Sequence, residues 1–214
     1  EEVRLYLGVI LAFTLLIAFN VRDMFGSFFE SFHHALFQVA SIITTTGFAT
    51  VDFNLWPAFS KSLLVLLMFI GACAGSTGGG IKCSRIVLML KSVKKEMQYL
   101  IHPRAVRVNK MDGRRVQHEV MRSVNVFLIA YLLIFAVSVL LVSLSCEDMV
   151  TNFTAVATAL NNVGPGLELV GPVENFGFLH PLSKIVLMFD MLAGRLELFP
   201  MLLLFTPRTW LRKL

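Results

Sequence analysis

The chain has 214 residues, 56% of them hydrophobic and 15% charged, and its mean hydropathy is +0.73. These values exclude an ordinary soluble domain, in which apolar and charged residues are more evenly balanced, so the bilayer is the expected solvent. The formal net charge of +5 becomes informative only when the charged residues are placed along the predicted elements.

Four long apolar segments are candidates for membrane-spanning helices, each of which needs about 20 mainly apolar residues. In chain order they are residues 3–21, 61–90, 124–144 and 178–206. The first and third are uninterrupted, whereas the second contains a glycine-rich stretch and the fourth contains charged residues. The sequence therefore predicts an all-α integral membrane protein in which two of the spans are interrupted.

Two further apolar segments, residues 27–43 and 148–160, are predicted to be short helices. At 1.5 Å per residue they cannot cross about 30 Å of hydrocarbon. Each begins near an acidic residue, Glu30 or Asp148, which suits the positive end of a helix dipole. Each ends in a polar segment that contains glycine. We predict pore helices that enter the membrane from outside and return as irregular backbone.

The two halves of the chain form an internal repeat. The segments "SKSLLVLLMFIG" and "SKIVLMFDMLAG" align without a gap, and the upstream segments align Gly47 with Gly164. We therefore predict two helix–pore-helix–helix repeats with re-entrant pore loops, residues 1–90 and 123–206. Non-helical backbone at membrane depth is tolerated where it lines a watery cavity, so the repeat predicts a pore.

The polar segments after the short helices are the candidate ion filter. Backbone carbonyls there can replace the hydration shell of a cation, and glycine can aim a carbonyl where other residues cannot. Read in isolation, such a segment is more typical of an extracellular turn; the repetition of the two segments in register favours the filter. The candidate residues are Thr44, Thr45, Thr46, Gly47 and Phe48 in the first repeat, and Asn161, Asn162, Val163, Gly164 and Pro165 in the second.

The stretch "GACAGSTGGGIK" interrupts the second span with five glycines. Each helical glycine costs roughly 1 kcal/mol relative to alanine, so the helix is expected to unwind. A nucleotide-binding P-loop is disfavoured because Ile81 precedes the lysine and Cys83 follows it. Close helix packing is one alternative; a flexible gate loop below the filter is the other. The gate candidates are Gly71, Gly75, Ser76, Thr77, Gly78, Gly79, Gly80 and Lys82.

The connections between spans predict the topology. Segment 91–122 has nine Lys or Arg residues against three acidic ones, so it is expected to be a cytoplasmic loop, with both termini and the 207–214 tail on the same side. Membrane lipid headgroups or a protein partner suit this charge. Nucleic acid is disfavoured because aromatic residues are not interleaved with the basic ones.

Charged residues interrupt the fourth span. Asp190, Arg195 and Glu197 lie within an apolar run, where an uncompensated charge costs at least about 2.5 kcal/mol. We expect Asp190 and Glu197 to be charge partners, with Arg195 either paired to an acid or directed towards the cavity below the filter as a barrier to cations.

Five motifs together resemble TrkH-type potassium-uptake proteins of the Trk/Ktr/HKT superfamily: "ASIITTTGFATVDF", "GACAGSTGGGIK", "LIHPRAV", "ALNNVGPGL" and "AGRLELFP". The resemblance spans nearly the whole chain and corresponds to the C-terminal half of the family, the third and fourth pore repeats. It implies a potassium-channel-like pore of four repeats in the bacterial inner membrane, gated by the glycine-rich loop, with Arg195 facing the pore.

The resemblance also implies K⁺ as the transported ion, and we place K⁺ at Thr45, Thr46, Asn162 and Val163. The implied partners are the remaining two repeats or a second copy, a homodimer of full subunits, and cytoplasmic nucleotide-binding (TrkA-like) regulatory subunits. We expect neither enzymatic activity nor an organic cofactor. A symporter coupled to Na⁺ or H⁺ is the alternative, and a non-transporting membrane scaffold is a third reading.

Overall fold

The computed structural model describes residues 1–102, 110–144, 148–196 and 198–204, and these are mostly helical. The helices, in chain order, are α1 (Glu2–Asn20), α2 (Phe28–Ile43), α3 (Ala58–Phe69), α4 (Cys83–Ile101), α5 (His118–Ser143), α6 (Met149–Asn161), α7 (Pro181–Arg195) and α8 (Leu198–Leu204). A two-stranded antiparallel hairpin, β1 (Lys110–Met111) and β2 (Arg114–Arg115), precedes α5.

The two short helices begin at side-chain caps. The Ser27 hydroxyl accepts a hydrogen bond from the Glu30 backbone N–H at the start of α2. The Asp148 carboxylate accepts hydrogen bonds from the Val150 and Thr151 N–H groups at the start of α6. Each cap satisfies backbone donors that have no partner within the helix, so the local sequence fixes where both helices start.

Within the described ranges, two helices are long and apolar enough to cross a membrane, α1 and α5. The predicted span 61–90 is not one helix, because α3 ends at Phe69 and α4 begins at Cys83. The predicted span 178–206 is also divided, between α7 and α8. Pro200 explains the second division, since it has no N–H to donate to Leu196 and its ring clashes with that carbonyl.

The prediction that residues 91–122 form a loop is wrong at both ends. Helix α4 continues to Ile101, and α5 begins at His118. The sequence of α4 contains no proline that would interrupt the helix between Cys83 and Ile101. The hairpin turns at Asp112 and Gly113, both with positive φ, as a tight two-residue hairpin turn requires.

Helix α6 lies in the centre of the fold. Its residues 154–161 are all buried and include a run of small side chains, Ala155, Ala157 and Ala159. Small residues let backbones approach closely, which suits packing between membrane helices. Helix α6 packs on α5, α7 and α3, while α1 packs on α2, so the ends of both short helices are held within the same bundle.

Candidate ion pathway

The polar segments 44–48 and 161–165, here called the first and second turns, fold in the same way. Thr45 has φ +56° and Asn162 has φ +55°. The alignment of the two repeats predicts that these two residues correspond. Thr46 N–H donates to the Ser41 carbonyl at 2.9 Å, and Val163 N–H donates to the Thr158 carbonyl at 2.9 Å. A shared left-handed conformation at non-glycine residues is uncommon, so the sequence repeat extends to the backbone.

The two turns meet at their glycines. Gly47 has φ +79°, and a Cβ atom added there would lie 2.3 Å from the Val163 carbonyl oxygen. A Cβ atom added at Gly164, where φ is +114°, would lie 3.6 Å from the Gly47 Cα. Only glycine therefore satisfies both the conformation and the space at Gly47. The structure brings two of the sequence-predicted segments into direct contact.

Side chains around the turns form hydrogen bonds that hold the backbone of the turns in place. Ser41 Oγ donates to the Phe48 carbonyl at 2.6 Å, and Gly164 N–H donates to Thr158 Oγ1 at 2.8 Å. The Asn161 side chain is buried, where it accepts from Tyr131 Oη at 2.8 Å and donates to the Ala157 carbonyl at 2.7 Å. Asn161 thus supports the second turn from behind, and sequence reasoning missed Tyr131 as its partner.

Residues 71–82, here called the glycine loop, have their two ends joined by backbone hydrogen bonds. Gly71 N–H donates to the Ile81 carbonyl at 2.9 Å, and Cys83 N–H donates to the Ala72 carbonyl at 3.2 Å. A Cβ atom at Gly71 would lie 2.4 Å from the Gly79 carbonyl oxygen. The glycines are therefore used for close approach of backbone to backbone, which keeps the two strands of the loop together.

The glycine loop lies against both turns. Gly79 N–H donates to Thr45 Oγ1 at 3.3 Å, and a Cβ atom at Gly79 would lie 2.1 Å from the Asn161 carbonyl oxygen. Three sequence-predicted groups of residues, the two turns and the loop, are thus assembled around one point of the fold.

Lys82 holds the loop closed on itself. Its ammonium group donates to the Gly78 carbonyl at 2.6 Å and to the Ser76 carbonyl at 2.8 Å. Hydrogen bonds from an ionised donor are stronger than neutral ones. The Lys82 side chain therefore ties the exposed part of the loop to the start of α4.

Glu2 is a contact that the sequence did not predict. Its Oε1 accepts hydrogen bonds from Ala74 N–H at 2.6 Å and from Ser84 N–H at 3.0 Å. One carboxylate on α1 thus binds the glycine loop and caps the first turn of α4, where a negative charge is favoured. An acidic residue at the predicted cytoplasmic end of a span was the signal that could have pointed to it.

Arg195 and Asp190 do not form the expected pair. Five residues on one helix are separated by about 140° around its axis, so the two side chains leave α7 on different faces. Asp190 is fully buried, and its Oδ1 accepts from Ser138 Oγ at 2.8 Å. Arg195 is exposed and lines a cavity of about 90 Å³ with Gly78, Gly80 and Lys82. Glu197 lies outside the described residues.

The sequence is similar to those of known proteins. The family model described as TrkH, cation transport protein, matches residues 6–212. The Trk system potassium uptake protein TrkH of Escherichia coli K12 is 40% identical over 213 residues, which are 98% of this chain and 43% of that protein. The Trk system potassium uptake protein TrkG of the same strain is 35% identical over 214 residues, again 98% of this chain and 43% of that protein.

A solved structure shares the fold as well. The crystal structure of the potassium transporter TrkH from Vibrio parahaemolyticus matches with a TM-score of 0.89 at 40% identity. That match covers 98% of this chain and 45% of the other. The chain therefore spans less than half the length of the relatives that it matches.

Proposed function

Because the chain belongs to the TrkH family of cation transport proteins, we propose that it supplies two of the four walls of a pore for potassium uptake. The observation that carries the proposal is the contact between two turns of similar backbone geometry, at Gly47 and Gly164, with the glycine loop against them. The relatives are named as potassium uptake proteins, and none of their names describes an enzyme.

The proposed filter uses backbone oxygens of both turns. Carbonyls of Thr45, Thr46, Asn162 and Val163 would replace water around K⁺, as carbonyl rings do in potassium-selective filters. Helices α2 and α6 end at the turns, so their negative dipole ends favour a cation there. Pro165 stands where the first turn has Phe48, so the two walls differ and selectivity over Na⁺ is expected to be incomplete.

The remaining walls must come from outside this chain. Two more repeats would close the pore, supplied by the same polypeptide or by a second copy. We place the assembly in the bacterial inner membrane, with the basic segment 91–122 on the cytoplasmic side. There it would contact lipid headgroups or nucleotide-binding regulatory subunits. The inside-negative membrane potential favours entry by about 2.3 kcal/mol per charge per 100 mV, which is sufficient for passive uptake.

The glycine loop is the proposed gate, and its position against the turns is the closed one. Replacing Lys82 by methionine should weaken this position, because the hydrogen bonds from its ammonium group to Gly78 and Ser76 are lost. A change of about 1.4 kcal/mol shifts a two-state equilibrium tenfold, so we expect uptake of radioactive rubidium into liposomes to rise by up to about tenfold. The assay uses the assembled four-repeat protein.

Lys184→Met is the matched control for this gate variant. Lys184 Nζ also donates to a loop carbonyl, that of Gly177 at 2.7 Å, but this loop is distant in sequence from the glycine loop. Lys184→Met should therefore leave rubidium uptake unchanged. Equal effects of the two substitutions, or reduced uptake in Lys82→Met at normal abundance, would remove the support for a gate held by Lys82.

Asp190 separates passive uptake from coupled symport. It is fully buried, and Oδ2 has no hydrogen-bond partner within the described residues. Under the passive mechanism Asp190→Asn should transport normally, because the amide oxygen still accepts from Ser138. Asp190→Leu should lower the free energy of unfolding by about 1–3 kcal/mol, because the buried Ser138 hydroxyl loses its acceptor.

The measurement is K⁺ accumulation in liposomes with and without an imposed Na⁺ or H⁺ gradient. Passive uptake follows the membrane potential alone and is the same in the parent and in Asp190→Asn. Accumulation of K⁺ against its electrochemical gradient, lost in Asp190→Asn, would instead establish the symport mechanism and make Asp190 the coupling residue.

A further inference from the structure

Asn54 of the first repeat forms two hydrogen bonds to the second repeat. Its Nδ2 donates to the Glu168 carbonyl at 3.1 Å, and its Oδ1 accepts from the Glu168 N–H at 2.9 Å. The side-chain amide therefore pairs with both backbone groups of one residue in the other repeat, 114 residues away. Neither residue was among the sequence-predicted site residues.

Glu168 needs this support because its backbone is in an uncommon conformation. Its φ is +52°, in the left-handed region that a residue with a side chain rarely adopts. Lys61 from the first repeat adds an ion pair, with Nζ 3.2 Å from Glu168 Oε1. Two side chains of the first repeat thus hold one strained residue of the second.

The space around the amide is also filled. A Cβ atom added at Gly171 would lie 3.1 Å from Asn54 Nδ2 and 3.1 Å from the Glu168 carbonyl oxygen. Asn54 itself is held, since its N–H donates to Asp52 Oδ1 at 3.0 Å. The pair therefore has a single well-packed geometry.

Both partners lie close to the turns along the chain. Asn54 follows the first turn, and Glu168 follows Pro165 at the end of the second. The intervening segment of the second repeat is tied to α6, because Leu167 N–H donates to Thr154 Oγ1 at 3.1 Å. A shift of Glu168 relative to Asn54 is therefore expected to move the end of the second turn.

We propose that Asn54 is a positioning residue that sets the spacing of the first and second turns, and through it the discrimination between K⁺ and Na⁺. The inference rests on the proposed function, in which the turns are two walls of the filter. The positions of the backbone carbonyls decide how well they replace the hydration shell of each cation. Weakening the contact between Asn54 and Glu168 should therefore lower selectivity before it lowers flux.

The test compares Asn54→Ala with Asn175→Ala in the assembled four-repeat protein in liposomes. Asn175 is an asparagine of the same predicted outer region, but its Oδ1 accepts from Gly177 N–H within its own loop, at 2.8 Å, and not from the other repeat within the described residues. We expect Asn54→Ala to lower the K⁺ to Na⁺ permeability ratio by about tenfold, the value of one lost pair of hydrogen bonds. Asn175→Ala should keep the parent ratio.

Asn54→Asp provides a second variant, which keeps the acceptor for Glu168 N–H and loses the donor. The K⁺ to Na⁺ permeability ratio of Asn54→Asp should lie between those of the parent and Asn54→Ala. If Asn54→Ala cannot be recovered as folded protein, Asn54→Asp tests the proposal by itself, and its ratio should be below that of the parent. A parent ratio in either recovered variant overturns the proposal, even where thermal stability falls, because a purely structural role moves stability and not selectivity. Failure of the proposed function would appear separately, as K⁺ flux that survives substitution of Gly47.

Discussion

Replacing Gly47 by alanine is expected to abolish most K⁺ uptake by the assembled pore. The new Cβ atom would lie 2.3 Å from the Val163 carbonyl oxygen, which is backbone and cannot rotate away. Alanine at φ +79° adds strain of about 1–2 kcal/mol, and overpacking adds about 1–3 kcal/mol. A total near 3 kcal/mol corresponds to a loss of about a hundredfold.

Gly113→Ala is the control that separates the contact from the strain. Gly113 has the same φ, +79°, but no described atom lies within 4 Å of a Cβ added there. It lies in the hairpin before α5, outside both turns. We expect uptake of radioactive rubidium by Gly113→Ala to match the parent. Similar losses in both variants would show that strain alone, and not the meeting of the turns, accounts for the effect.

Replacing Gly79 by alanine should act in the opposite direction and raise K⁺ uptake. A Cβ atom at Gly79 would lie 2.1 Å from the Asn161 carbonyl oxygen, so the glycine loop cannot keep its place against the second turn. Overpacking of about 1–3 kcal/mol in the closed state corresponds to about a 5- to 150-fold shift towards the open one. The measurement is the initial rate of uptake into liposomes at a fixed membrane potential.

Gly75→Ala is the corresponding control within the glycine loop. Gly75 has φ +83°, yet no described atom lies within 4 Å of an added Cβ. The substitution strains the loop without pushing it away from the turns, so uptake should change less than in Gly79→Ala. If Gly79→Ala lowers uptake while protein abundance is normal, the loop is not a gate that closes against Asn161.

The sequence was sufficient where a local pattern decides the structure. The acidic residues Glu30 and Asp148 indicated where the two short helices begin, and the register of the repeat paired Thr45 with Asn162, which both have a left-handed backbone. The glycine-rich stretch predicted an unwound segment, and residues 70–82 lie between two helices. The family resemblance, which came from five motifs together, is confirmed by the family model and by relatives at 40% identity.

The sequence was insufficient where a contact joins distant residues. The position of Glu2 at the end of a predicted span marks it as unusual, but the sequence does not identify Ala74 and Ser84 as the groups that its carboxylate binds. Likewise, nothing near Asn54 in the sequence indicates Glu168. Asp190 was expected to pair with a charge, whereas the orientation of α7 directs it to Ser138. Such contacts depend on how the helices pack, and that packing is set by the whole bundle.

The most direct test of the account is the position of the permeant ion. Crystals of the assembled four-repeat protein in thallium or rubidium salts would locate the ion by its anomalous scattering. We predict anomalous density beside the carbonyl oxygens of Thr45, Thr46, Asn162 and Val163. Density confined to carboxylates such as Asp190, with none beside the turns, would contradict the claim that these segments form the filter.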